Sequence, residues 1–214
     1  MDSEGAADHL KQIIRIIEAN GIQHFSIEKS ATHVNAFNQL MAYMQTLRKE
    51  AQTYCSTRDA GLEHQMKLWY RVRQDLVMIF SGDFVIEIIP MSSFPNMHMI
   101  DGSDCDFGVV VQDLTDRIKT FCRTKLIQHG FAFKETNYGY DIYSKTIEKM
   151  EFEIKVRDRA ESEKIISLHH ALDSADTYIH QLITYLKALT YGDKVLYAKI
   201  KGIIFSAFYT GIAG

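Results

Sequence analysis

Met91-Ser92-Ser93-Phe94-Pro95-Asn96-Met97-His98-Met99-Ile100-Asp101-Gly102-Ser103-Asp104-Cys105-Asp106-Phe107-Gly108-Val109-Val110 is the stretch on which the reading of this chain turns. Before it, residues 84–89 are β-branched and apolar, which predicts a buried strand, and Pro90 is expected to close it. Residues 91–103 read as loop, and a second apolar strand, Cys105–Val111, follows at once. Asp104 and Asp106 stand at i and i+2 at the mouth of that strand, so both side chains project from one face. Two carboxylates this close repel unless a cation lies between them. Their hard oxygens suit Mg²⁺ or Mn²⁺.

Working outward, residues 114–129 read as a helix stopped by Gly130. Residues 131–134 and 138–145 read as a hairpin turning through Thr136-Asn137-Tyr138-Gly139. The segment Met150-Glu151-Phe152-Glu153-Ile154-Lys155-Val156 alternates cleanly. Met150, Phe152, Ile154 and Val156 form one face, and Glu151, Glu153 and Lys155 the other. If this strand pairs beside Cys105–Val111, either Glu151 or Glu153 can face the aspartates. Three carboxylates on neighbouring strands hold two metal ions about 3.5–4 Å apart. Asp-x-Asp after a turn, or Glu-x-Glu on a strand, is by itself usually a solvated strand. The combination with a Ser-Ser pair twelve residues before Asp104 is what singles the segment out.

Both ends of the chain read as helical. Leu10, Ile13, Ile14 and Ile17 recur at helical spacing before Asn20-Gly21, and Val34, Phe37, Leu40, Met41, Met44 and Leu47 continue the pattern over residues 33–55. A third helix is expected over 61–80, and helices return from about 163, with a break at Tyr191-Gly192-Asp193 and an end near Gly211. The fold class expected is α+β, a mixed sheet with helical layers at the N- and C-terminal ends. The segments read as a helical stretch over 1–60, a core over 61–160 and a second helical stretch over 161–214.

Composition narrows the partners. A net charge of −3 gives little long-range attraction to a polyanion, so any nucleic-acid track is local. Arg117, Lys119, Arg123 and Lys125 are the candidates, against the ordinary reading of a solvated helix surface. No run of about 18 apolar residues suggests a membrane span, and the N-terminus lacks the pattern of a secretory signal. Cys55, Cys105 and Cys122 share no metal-type spacing, which suits reduced thiols in an intracellular setting, cytoplasmic or nuclear.

The stretch from Ser92-Ser93 to Gly102-Ser103-Asp104-Cys105-Asp106-Phe107 resembles the signature of polymerase β-like nucleotidyltransferases, most of all the non-standard poly(A) polymerases and terminal uridylyltransferases. Glu153-Ile154-Lys155-Val156 resembles their third catalytic strand. The resemblance covers about residues 61–157 and, more loosely, 163–214. It implies that Asp104, Asp106 and Glu153 are catalytic and bind Mg²⁺ or Mn²⁺, and that Ser92 and Ser93 contact a nucleoside triphosphate. It places Lys187 and Ser206 as further triphosphate contacts. It implies transfer of a nucleoside monophosphate to an RNA 3′-hydroxyl with release of pyrophosphate, while the net charge of −3 points to weak RNA affinity without a partner protein. Two positions depart from the pattern: Met91 stands where the family has a turn glycine, and Glu153 where it usually has aspartate. Met91 raises the alternative of an inactive scaffold or binding subunit, and the acidic balance that of a small nucleotide acceptor.

Overall fold

The structure, a computed structural model, describes residues 3–82, 84–91, 100, 105–137 and 140–210. Its elements are α1 (Ser3–Ala19), α2 (Ala31–Thr46), α3 (Arg48–Ile79), β1 (Val85–Met91), β2 (Cys105–Val111), α4 (Asp116–Gln128), β3 (Ala132–Asn137), β4 (Tyr140–Ile147), β5 (Met150–Asp158), α5 (Arg159–Asp173), α6 (Thr177–Thr190) and α7 (Lys194–Tyr209). This is the α+β arrangement expected, with one five-stranded mixed sheet. The chain divides into two compact units. One is made from Met1–Arg58, Asn96–Ile100 and Ser167–Gly214, and the other from Asp59–Pro95 and Asp101–Ile166.

The first unit is helical. The stripe of α1 buries Ile13 and Ile17, α2 contributes Leu40 and Met44, and α6 and α7 add Leu186 and Ile200 to the same core. These are the positions that helical spacing marks as apolar. Asp193 caps α7, accepting from the backbone N–H groups of Val195 and Leu196 at 3.0 Å each. The 191–193 break thus falls where the sequence predicts it.

The second unit holds the sheet, in the order β1-β2-β5-β4-β3. β2 and β5 are parallel, and the other neighbouring pairs are antiparallel. One sheet face is apolar. Phe107 stacks on Trp69 of α3 with ring centroids 5.4 Å apart, and Ile154, Val156 and Tyr143 are buried on that side. On the same face at the β3 edge, Arg123 of α4 lies over the ring of Phe133, which meets Tyr143 edge-on.

Two expectations about the elements are corrected. Pro90 does not close the first strand: β1 runs on to Met91, with Pro90 paired to Phe107 and Met91 to Asp106. β1 is an edge strand, the place in a sheet where proline is tolerated, because only alternate N–H groups there are needed for the ladder. The helices expected over 33–55 and 61–80 divide elsewhere. α2 stops at Thr46, and α3 runs unbroken for 32 residues through Gly61. A helical glycine costs only about 1 kcal/mol, which the burial of Leu62, Leu68, Trp69 and Val72 outweighs.

Candidate functional site

The register of β2 against β5 assembles the site. Asp106 pairs with Glu153 and Gly108 with Lys155, so in this parallel pair their side chains leave the same face of the sheet. The opposite faces of both strands are locked into the apolar core by Phe107, Val109, Ile154 and Val156, each 2% exposed or less. A slip of one residue would turn every carboxylate inward, so the apolar alternation fixes the polar face. Asp106 is itself buried at 6% exposure. Beside it lies a small apolar patch of Ile89, Met91 and Val110, covered by Ile165 and Ile166 of α5. Gly108 leaves room for that patch, because a Cβ there would sit 2.7 Å from Ile89 Cγ1 and 3.1 Å from Met91 Sδ. Met91 is therefore a packed strand residue at the margin of the carboxylate face.

Two ammonium groups stand among the carboxylates. Lys155 Nζ lies 3.2 Å from Asp106 Oδ1 and 3.7 Å from Glu153 Oε2. Lys134 Nζ donates to Glu153 Oε1 at 2.5 Å and to Glu151 Oε1 at 2.9 Å. Burial on its own would raise the Glu153 carboxyl, but the hydrogen bond from Lys134 and the charge of Lys155 prevail and hold it below its usual range. The same bonds to Glu153 and Glu151 push the Lys134 ammonium up. Neither lysine was singled out by sequence reasoning. The signal for Lys155 was its place two residues after Glu153 on the same strand face. Lys134 carried no signal, because only the pairing of β3 with β4 and of β4 with β5 brings it across.

A further cation sits on β5. The guanidinium of Arg157 lies 4.2 Å from the centroid of Tyr140, and among the described residues its buried Nε has no hydrogen-bond partner. Burial lowers its pKa. The Tyr140 hydroxyl donates to Glu161.

The donor set around Asp106 and Glu153 fits a divalent cation: hard carboxylate oxygens converge from two adjacent strands onto one face. Among the described residues no group of three or more His, Cys, Asp or Glu side chains is gathered closely enough to hold a metal. Asp104, the aspartate expected to act with Asp106, lies outside the described residues, as do Ser92 and Ser93. Glu151, left open beside Glu153, pairs with Thr146, and its carboxylate is the more exposed of the two, 44% against 14%.

Lys187 and Ser206 belong to the first unit, and both are buried. Lys187 Nζ lies over the rings of Tyr191 and Tyr197, at 5.5 and 5.7 Å from their centroids. The Ser206 hydroxyl accepts from the backbone N–H of Glu28 at 3.0 Å and donates to the Ser26 carbonyl. It thereby ties the segment between α1 and α2 to α7. Of the four basic candidates on α4, Arg123 rests on Phe133, and Lys125 reaches the Ile79 carbonyl at 3.4 Å. Among the described residues, no helix is long and apolar enough to cross a membrane.

No protein-family model matches the chain, and no curated protein matches its sequence. Solved structures do match its fold. A mutant of Cid1 poly(U) polymerase bound to MgATP aligns at TM-score 0.50 and 16% identity, over 68% of this chain and 48% of that one. A second Cid1 structure, described for its RNA terminal uridylyl transferase activity, aligns at TM-score 0.51 and 14% identity, over 69% and 46%. The conserved protein GrpB from Enterococcus faecalis aligns at TM-score 0.51 and 15% identity, over 67% of this chain and 92% of that one. The chain thus has a nucleotidyltransferase-like fold, and its aligned part spans about half the length of the Cid1 structures.

Proposed function

We propose that this chain is a metal-dependent nucleotidyltransferase that moves a nucleoside monophosphate from a nucleoside triphosphate to an RNA 3′-hydroxyl. The observation that carries the reading is the pairing of Asp106 with Glu153 on adjacent parallel strands, in a fold also found in a poly(U) polymerase. In the reaction the acceptor's 3′ oxygen forms a bond to the α-phosphorus. The bond from that phosphorus to the bridging oxygen breaks, and pyrophosphate leaves. Two divalent cations, Mg²⁺ or Mn²⁺, would favour the ionised hydroxyl and neutralise the leaving phosphates. Asp106 and Glu153, with Asp104, would hold them. Glu153, kept ionised by its lysine neighbours, would stand near the attacking hydroxyl. Ser92, Ser93, Lys187 and Ser206 are the proposed triphosphate contacts. Most of the rate would come from positioning and charge neutralisation.

A second reading is supported by Lys155 and Lys134, which already neutralise much of the carboxylate face: a nucleotidyltransferase fold serving as a binding or scaffold subunit. A third, a small nucleotide as acceptor, is suggested by the net charge of −3.

The test is incubation with α-labelled ATP or UTP and Mg²⁺ or Mn²⁺, with and without an RNA oligonucleotide. Label added to the RNA 3′ end supports the leading reading. Label in a small product without RNA moves the assignment to the small acceptor. Absence of transfer under every condition, with the protein folded, leaves the scaffold reading.

A further inference from the structure

Asp106 and Glu153 share one cation, and that cation belongs to the chain. Lys155 Nζ is 3.2 Å from one carboxylate and 3.7 Å from the other, and it reaches both from a strand position fixed by its pairing with Gly108. Gly108 contributes no side chain at the step of β2 facing Lys155, and the lysine stem lies on that face. Lys134 holds Glu153 from the other side. On this face the described carboxylates Asp106, Glu151 and Glu153 meet the ammonium groups of Lys134 and Lys155, three negative charges against two positive. A dication approaching Asp106 and Glu153 therefore meets a face that is already largely neutral. It also meets an ammonium at the point where the two carboxylates converge.

We propose that Lys155 is a resident counter-ion that a divalent metal must displace, so that metal alone binds weakly here. This rests on the reading of Asp106 and Glu153 as metal ligands. A lysine suits the role because it is a point charge on a flexible four-carbon stem. It neutralises the carboxylates while they are buried without metal and swings away when the metal enters. The design removes the cost of leaving two adjacent carboxylates unpaired, and it weakens the site's hold on free metal in return.

The test is titration of Mn²⁺ against the full chain, followed by the electron paramagnetic resonance signal of free Mn²⁺. Wild type, Lys155→Met and Lys155→Arg are compared, with a thermal melt of each. Removing a positive charge a few ångströms from a dication site strengthens Mn²⁺ binding by about tenfold or more. Lys155→Met is therefore expected to bind at least that much tighter than wild type, and Lys155→Arg, which keeps the charge, to bind as wild type does. Should the methionine variant fail to fold, Lys155→Gln carries the same expectation. Mn²⁺ binding by wild type and a neutral variant with equal affinity, or weaker binding by the variant, overturns the counter-ion role but leaves the metal reading standing. Failure of both to bind Mn²⁺ at millimolar concentration overturns the two together.

Discussion

Asp106 on β2 is the register partner of Glu153 on β5, so two carboxylates leave the same face of a parallel strand pair side by side. In a parallel pair the rungs are evenly spaced, and a residue's neighbour across the ladder is set by register alone. Here that register is enforced from behind, by Phe107 and Val109 of β2 and Ile154 and Val156 of β5 in the apolar core.

The two glutamates of β5 are therefore not equivalent. Glu153 faces Asp106, whereas Glu151 pairs with Thr146 and stands more in solvent. Glu153→Gln is expected to remove metal-dependent nucleotide transfer, and Glu151→Gln to leave most of it. Transfer rates of the two variants under identical Mg²⁺ decide the matter; loss confined to Glu151→Gln would place the third ligand two residues earlier.

The β4–β5 connection carries backbone strain that can be relieved. Glu148 and Lys149 both have positive φ, 50° and 72°, a conformation that L side chains disfavour by roughly 1–2 kcal/mol. Glycine adopts it freely and suits a two-residue hairpin turn. Lys149→Gly should raise the stability of the folded chain by about 1 kcal/mol, read as a higher urea midpoint. An unchanged or lower midpoint would show that the turn is relaxed in solution.

Stability should also fall on mild acidification, through histidine. Burial pushes the His169 imidazole down to about 4 from its usual 6.5, with Asp173 acting in the opposite direction, and burial lowers His180 as well. Between those two values the unfolded chain takes up a proton that the folded chain refuses. Folding therefore weakens as the pH falls through that window. Urea midpoints at about pH 7 and about pH 5 should drop for wild type and drop less for His169→Gln. An equal drop in both would assign the acid sensitivity to other groups.

RNA affinity should depend only weakly on salt. The net charge is −3, and two of the four basic residues on α4 already have partners within the chain. Contact with two to four phosphates corresponds to a slope of roughly −1.4 to −2.8 in log affinity against log salt. Fluorescence anisotropy of a labelled single strand across a salt series gives that slope. A steep slope, with tight binding by this chain alone, would contradict the charge argument.

Much of this arrangement was legible in the sequence. The seven buried residues of β2 and the alternation of Phe152, Ile154 and Val156 on β5 announced two strands with one face in the core. What stayed hidden depended on tertiary placement. Pro90 ends a strand in isolation but continues one at a sheet edge, and only the strand order shows where the edge lies. The spacing of apolar residues placed one helix over 33–55 and another over 61–80, and the packing of the long α3 joins them across that gap. The turn at Glu148 and Lys149 lacks the Asn or Gly that usually marks a hairpin. For the site, alternation left Glu151 and Glu153 equal, and the cross-strand register was needed to distinguish them. The lysines went unread because a cation between two carboxylates was expected to be a metal, and the chain supplies an ammonium of its own.

Whether Asp106 and Glu153 are ligands of a divalent cation is decided by Mn²⁺ binding to wild type beside Asp106→Asn. Asparagine keeps the shape and removes the charge. Mn²⁺ binding seen in wild type should be lost in Asp106→Asn while the melting transition stays cooperative. A folded Asp106→Asn that binds Mn²⁺ as tightly as wild type would contradict it.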